Sequence, residues 1–141
     1  MIVTKLLLSL HVLAAIVAIG PVTVAASMFP AALRRGDRAQ LAILHRICRV
    51  YAVLGLAVPV FGFATASSLG VLGDAWLLTS IALTAVAAAV LGFAILPAQA
   101  AAVAGNPAVP ARLGMTSGVF NLLWATVVVL MIVRPGSTTG A

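Results

Sequence analysis

Acidic side chains are almost missing from this chain. Of 141 residues only Asp37 and Asp74 carry a carboxylate, against eight lysines and arginines. Paired-carboxylate hydrolysis and carboxylate-rich cation sites therefore have no candidate residues. A proton-coupled exporter that works through a buried acid loses its central group. Cysteine is equally scarce, and the lone Cys48 excludes an intramolecular disulfide and any multi-cysteine metal site. Only 7% of the residues are charged, far below the roughly 25% of soluble domains, so the chain cannot clothe a water-facing surface. The net charge of +6 rests on few basic residues, most of them in one short segment, which does not describe a nucleic-acid binder.

What the chain has in abundance is apolar surface. Hydrophobic residues make up 64% of it and the mean hydropathy is +1.26. Four long apolar stretches predict helices at about 6–29, 38–69, 75–98 and 111–133. Each reaches the roughly 20 residues that cross about 30 Å of hydrocarbon. Backbone groups in lipid must be bonded within their own segment, which makes each span a helix. The expectation is an all-α membrane protein: a single four-transmembrane-helix bundle over residues 1–134, with 135–141 as a disordered tail. The first stretch exceeds the 7–15 apolar residues of a signal-peptide core and is read as a retained helix.

Positive charge sets orientation. The first connection carries Arg34, Arg35, Arg38, Arg46 and Arg49, and the third adds Arg112, while the second has only Asp74. Basic connections stay in the cytoplasm, so the expected topology is N-out and C-out in a bacterial plasma (inner) membrane. Both acids have local employment in this reading. Gly36 ends the first helix, Asp37-x-x-Gln40 fits a capping box for the second, and Asp74 sits at the N-cap of the third. Pro21 and Pro59 lie inside their helices and are expected to kink them, with Thr23 and Thr65 at hand for the freed carbonyls. Trp76 and Tyr51 fit interfacial anchors.

Two surfaces are candidates for contacts. Arg35, Arg38, Ala42, His45 and Arg49 recur at helical spacing. This is either a solvated basic face that fixes topology, or a site for anionic lipid headgroups or an acidic partner, built on Arg35, Arg38, His45 and Arg49. Leu41, Leu44, Cys48 and Tyr51 form an apolar stripe on the same helix. Small residues line all four helices, including Ala82, Ala85, Ala89 and Gly92 on the third. On the fourth, Gly114, Gly118 and Asn121 make a packing face that begins as GxxxG. Such faces let helices approach closely, within the chain or between subunits.

One residue stands apart. His11 lies inside an apolar run, in the outer half of the first helix. Three readings stay open: a neutral imidazole bonded to a neighbouring helix, a ligand to haem iron or another metal, or a partner for a quinone or a proton relay. His45 is near the opposite end, on the order of 25 Å away along the bundle at helical rise, and cannot share one iron with His11. Met131, at the outer end of the fourth helix, is the better-placed sixth ligand.

The stretches "LHVLAAIVAIGPVTVAASMFPAALRR" and "LHRICRVYAVLGLAVPVFGFATA" resemble the DUF2269-type integral membrane family, and more distantly copper-resistance protein D and the HemJ-type protoporphyrinogen oxidases. The resemblance covers residues 8–66. It implies a helical bundle with His11 as the first-helix histidine, which in the HemJ-type group is implicated in haem binding, and with Arg46 or Arg49 and Pro59 as the second-helix pattern. The later first-helix tryptophan and an intramembrane lysine have no counterpart here.

The functional expectations are a small accessory or interaction subunit of a membrane assembly or homo-oligomer, or a haem-b protein using His11 and Met131. A small channel or transporter is the least favoured class, given the missing buried charge. No catalytic residue and no metal site are assigned. The expected partners are the lipid bilayer, anionic lipid headgroups, and other membrane subunits or a second copy.

Overall fold

Local chemistry around Gly36 creates the first hairpin. Gly36 adopts the left-handed conformation (φ 66°) at the end of helix α1, Ile2–Arg35. In that conformation its N–H donates to Leu33 O and the next amide, Asp37 N–H, donates to Ala32 O, both at 3.2 Å. This closes the helix with its last carbonyls satisfied. Asp37 then opens α2, Arg38–Leu54, by accepting from Gln40 N–H at 3.1 Å. Only half of the expected capping box forms, because the Gln40 side chain turns to accept from Arg35 Nη2 at 2.7 Å.

The structure is a computed structural model that describes residues 1–136. The expected tail falls mostly on 137–141, outside the described residues. The remaining helices are α3 Ala57–Leu69, α4 Ala75–Ala89, α5 Leu96–Val103 and α6 Pro110–Val133, with a π-helical stretch, Val90–Ile95, joining α4 to α5. Among the described residues there is no strand. The helices form four spans long and apolar enough to cross a membrane: Ile2–Arg35, Arg38–Leu69, Ala75–Val103 and Pro110–Val133. The chain is an all-α, multi-pass membrane bundle.

The prolines of three spans meet three different outcomes. Span 1 runs unbroken through Pro21 and Pro30. Span 2 loosens between α2 and α3, four residues before Pro59. Pro59 has no N–H for the carbonyl of Gly55, which accepts from Val58 N–H at 3.1 Å instead. In span 3 the π-helical stretch ends two residues before Pro97. The threonines do not serve the proline-freed carbonyls as expected. Thr65 Oγ1 donates to Phe61 O at 2.7 Å, and Thr23 Oγ1 is buried without a partner among the described residues.

Span 1 packs against span 2 on one side and α6 on the other; α4 packs on α6, and α5 returns to α2. The main core lies towards the arginine-bearing end. It joins Val22, Ala25, Ala26 and Phe29 of α1 to Leu41, Leu44 and Cys48 of α2, with Leu91, Ile95, Ala102, Leu113 and Phe120 closing around them. The predicted Leu41–Leu44–Cys48 stripe is therefore the buried face of α2. A smaller cluster of Ala66, Val71, Trp76 and Leu77 sits at the opposite end, where the Thr4 and Ser68 hydroxyls are hydrogen-bonded.

Two expectations at that end need correction. Asp74 occupies the N-cap position, but its side chain caps no backbone amide; it accepts from the Trp76 indole N–H at 3.1 Å. Trp76 itself is buried, with the Arg134 guanidinium 4.9 Å from its ring centroid. The indole can satisfy its polar edge and cation-attracting face within the protein, so it does not need the headgroup region.

Candidate functional site

The two histidines occupy opposite ends of the bundle in different surroundings. His11 leaves α1 towards α3, where Nδ1 lies 2.8 Å from Val58 O. A carbonyl can only accept, so Nδ1 carries a proton, and in the neutral ring Nε2 keeps its lone pair. No described residue supplies a hydrogen bond to Nε2. The ring fits because position 62 is glycine: a Cβ there would stand 2.9 Å from His11 Cε1. His11 thus bonds one turn of α3 and packs on the next. Met131 packs on the cluster that includes Ala66, one helical turn beyond Gly62.

His45 belongs to a different arrangement. It is half-buried, not part of a fully solvated face, and Nδ1 donates to Gln99 Oε1 at 3.1 Å. Gln99 Nε2 lies 3.6 Å from Cys48 Sγ, and Cys48 Sγ lies 3.9 Å from Val22 O. The donors run in one direction, from imidazole to amide to thiol to backbone carbonyl, and the chain ties α2, α5 and α1 together. Gln99 and Cys48 are both fully buried. A buried amide is tolerated only when its polar atoms are paired, and here both ends of Gln99 are. Sequence reasoning missed Gln99 because the third helix was expected to end at residue 98. The signal available was one amide within "LPAQAAAV", a run otherwise without polar side chains.

The four expected basic residues separate. Arg35 turns to Gln40, and Arg38 folds over the Gly105 turn to donate to Val103 O at 3.3 Å. Gly105 has φ +91°, so the turn depends on glycine, and a Cβ there would sit 3.2 Å from Arg38 Nη2. His45 and Arg49 stay together and are joined by Arg46. With Ala42, Val50, Val53 and Val103 these three line a groove of about 430 Å³.

The expected packing face on α6 is used in part. Asn121 Nδ2 donates to Ser27 Oγ at 3.1 Å and Ser117 Oγ donates to Ala26 O at 3.2 Å. Gly114 faces Pro30, whereas a Cβ on Gly118 would meet nothing within 4 Å. The Asn121 Oδ1, Thr23 Oγ1 and Trp124 Nε1 atoms are buried without hydrogen-bond partners among the described residues. Of the two roles open to the small stripe of span 3, packing within the chain is not the one it takes, for Ala82, Ala85, Ala89 and Gly92 are all exposed.

Among the described residues no group of three or more His, Cys, Asp or Glu side chains could hold a metal ion. In comparisons with family models, curated proteins and solved structures, nothing matches this chain.

Proposed function

We propose that this protein acts as an accessory or interaction subunit of a bacterial inner-membrane assembly, or as a homo-oligomer, with both termini on the outer side. The supporting observation is the outward stripe Ala82, Ala85, Ala89 and Gly92 on span 3. Ala82, Ala85 and Ala89 fall within about 60° of one another on a helix of 3.6 residues per turn. A fourth side chain would find open space at Gly92. Lipid gives little hydrophobic drive for helix association, so smooth, small-residue faces are where backbones come close. The reactive side chains support the same reading: Asp37, Asp74, His11, His45 and Cys48 each hold a bond within the chain.

Cysteines introduced singly at Ala85 and Ala89 should cross-link to a second span in native membranes, while one at Leu83, on the other side of the helix, should not. Ala85→Trp should release the stoichiometric complex on gentle solubilisation. A monomer free of cross-links at native expression would remove the basis for the proposal.

The second reading is a haem-b protein, supported by the Nδ1–H bond of His11 to Val58 O, which leaves Nε2 as a lone-pair donor. Metal-bound histidines commonly donate their other ring N–H to a backbone carbonyl in this way. Met131 is the candidate second ligand. Purified protein with a Soret band that His11→Ala abolishes supports this reading; protein that stays colourless with added haem sinks it.

A further inference from the structure

We propose that the groove lined by His45, Arg46 and Arg49 is a binding site for one anionic phospholipid. Two features specify the occupant: the charge of the groove and its depth. Arg46 and Arg49 have no hydrogen bond or ion pair among the described residues. His45 has committed only Nδ1, to Gln99. Neither acid competes for these groups, because Asp37 caps α2 and Asp74 is bonded to Trp76 at the other end of the bundle. The two guanidinium groups present uncompensated donors, and a phosphodiester supplies the matching acceptors.

Depth places the phosphate and the acyl chains. Span 2 has 32 residues, about 48 Å of helix against about 30 Å of hydrocarbon. The excess of roughly 18 Å is about twelve residues, which brings the boundary close to residue 50 when it lies at the arginine-bearing end. Arg46 and Arg49 then stand at headgroup level. Val50 and Val53, both exposed, and Val103 continue the groove into the acyl region. A groove with cations at its rim and valines below fits a lipid better than a free phosphate or an acidic peptide, neither of which would use the apolar wall.

The site is also connected to the core. His45 links the groove to the buried Gln99–Cys48 chain, so a lipid there rests on the junction of α2 with α5.

Native mass spectrometry of the purified full chain tests this. Phosphatidylglycerol and phosphatidylcholine with identical acyl chains are added separately, and the fraction retaining one lipid is measured. Two basic residues at about 1 kcal/mol each predict a preference of roughly twenty- to thirty-fold for the anionic lipid. Arg46→Gln with Arg49→Gln should abolish that preference. Arg34→Gln with Arg35→Gln removes equal charge from the same end and should leave it. Val53→Trp, which fills the apolar wall without touching charge, should weaken retention of phosphatidylglycerol several-fold. Equal retention of both lipids by the native chain overturns the proposal. So does an equal loss in the two arginine pairs, the mark of diffuse attraction, or displacement of the lipid by millimolar inorganic phosphate. A Val53→Trp variant that keeps full retention removes the acyl wall from the site.

Discussion

The His45 end and the His11 end of the bundle solve one problem with different means. Each must hold helices together where lipid offers little drive for association. At the His45 end a fully buried amide and thiol connect three helices, and the surrounding core is continuous. At the His11 end a half-buried ring makes one bond to one carbonyl and lies against one glycine. The first arrangement is cooperative: removing any member leaves others unpaired in a low-dielectric interior. The second is a single latch whose loss is confined to itself. The same side chain is therefore a structural keystone at one end and a replaceable clasp at the other.

Gln99→Ala should break this contrast most severely. It strips His45 Nδ1 and Cys48 of their shared partner and opens a cavity, and about 2–4 kcal/mol of stability should be lost in denaturant titrations of reconstituted protein. A loss equal to that of His11→Ala would mean the two ends are equivalent. Next comes Gly62→Val, which forces the His11 ring off α3 and should cost about 1–3 kcal/mol. In a His11→Ala background the same substitution should cost much less, and a double-mutant cycle reads the difference. His11→Ala alone should cost roughly 0.6–1.7 kcal/mol, the range of hydrogen bonds between membrane helices. Thr4→Ala, which removes the exposed hydroxyl pair with Ser68, should change stability by less than about 0.5 kcal/mol.

The sequence made the bundle legible because lipid imposes one strong rule, that each span be long, apolar and helical. Length and composition place four spans, and Gly36 with Asp37 place the first hairpin almost to the residue. The apolar stripe Leu41–Leu44–Cys48 likewise identified the buried face of α2. Periodicity failed where the helix is irregular. It placed His45 with Arg38 and Arg49 because all three share a face, and it could not know that Gln99 would arrive beside that face from another span. Asp74 was assigned to a cap because nothing in the sequence weighs an amide two or three residues on against an indole at the same distance. Similarly, a stripe of small residues says that a helix can be approached closely, but not by what. Only the packing of α4 on α6 through a different face leaves Ala82, Ala85, Ala89 and Gly92 outward.

The six residues Val90–Ile95 act as a shim. A wider turn takes up an extra residue, and the inward positions Ala87, Leu91, Ile95 and Gln99 are each four apart. A strict α-helix would let such a series drift by about 40° per step. Deleting a single residue between 90 and 95 would give the backbone a more regular helix. It would also rotate everything beyond it by about 100°, carrying Gln99 away from His45 and Cys48. The most orderly version of span 3 is thus the one in which the protein's buried polar thread comes apart.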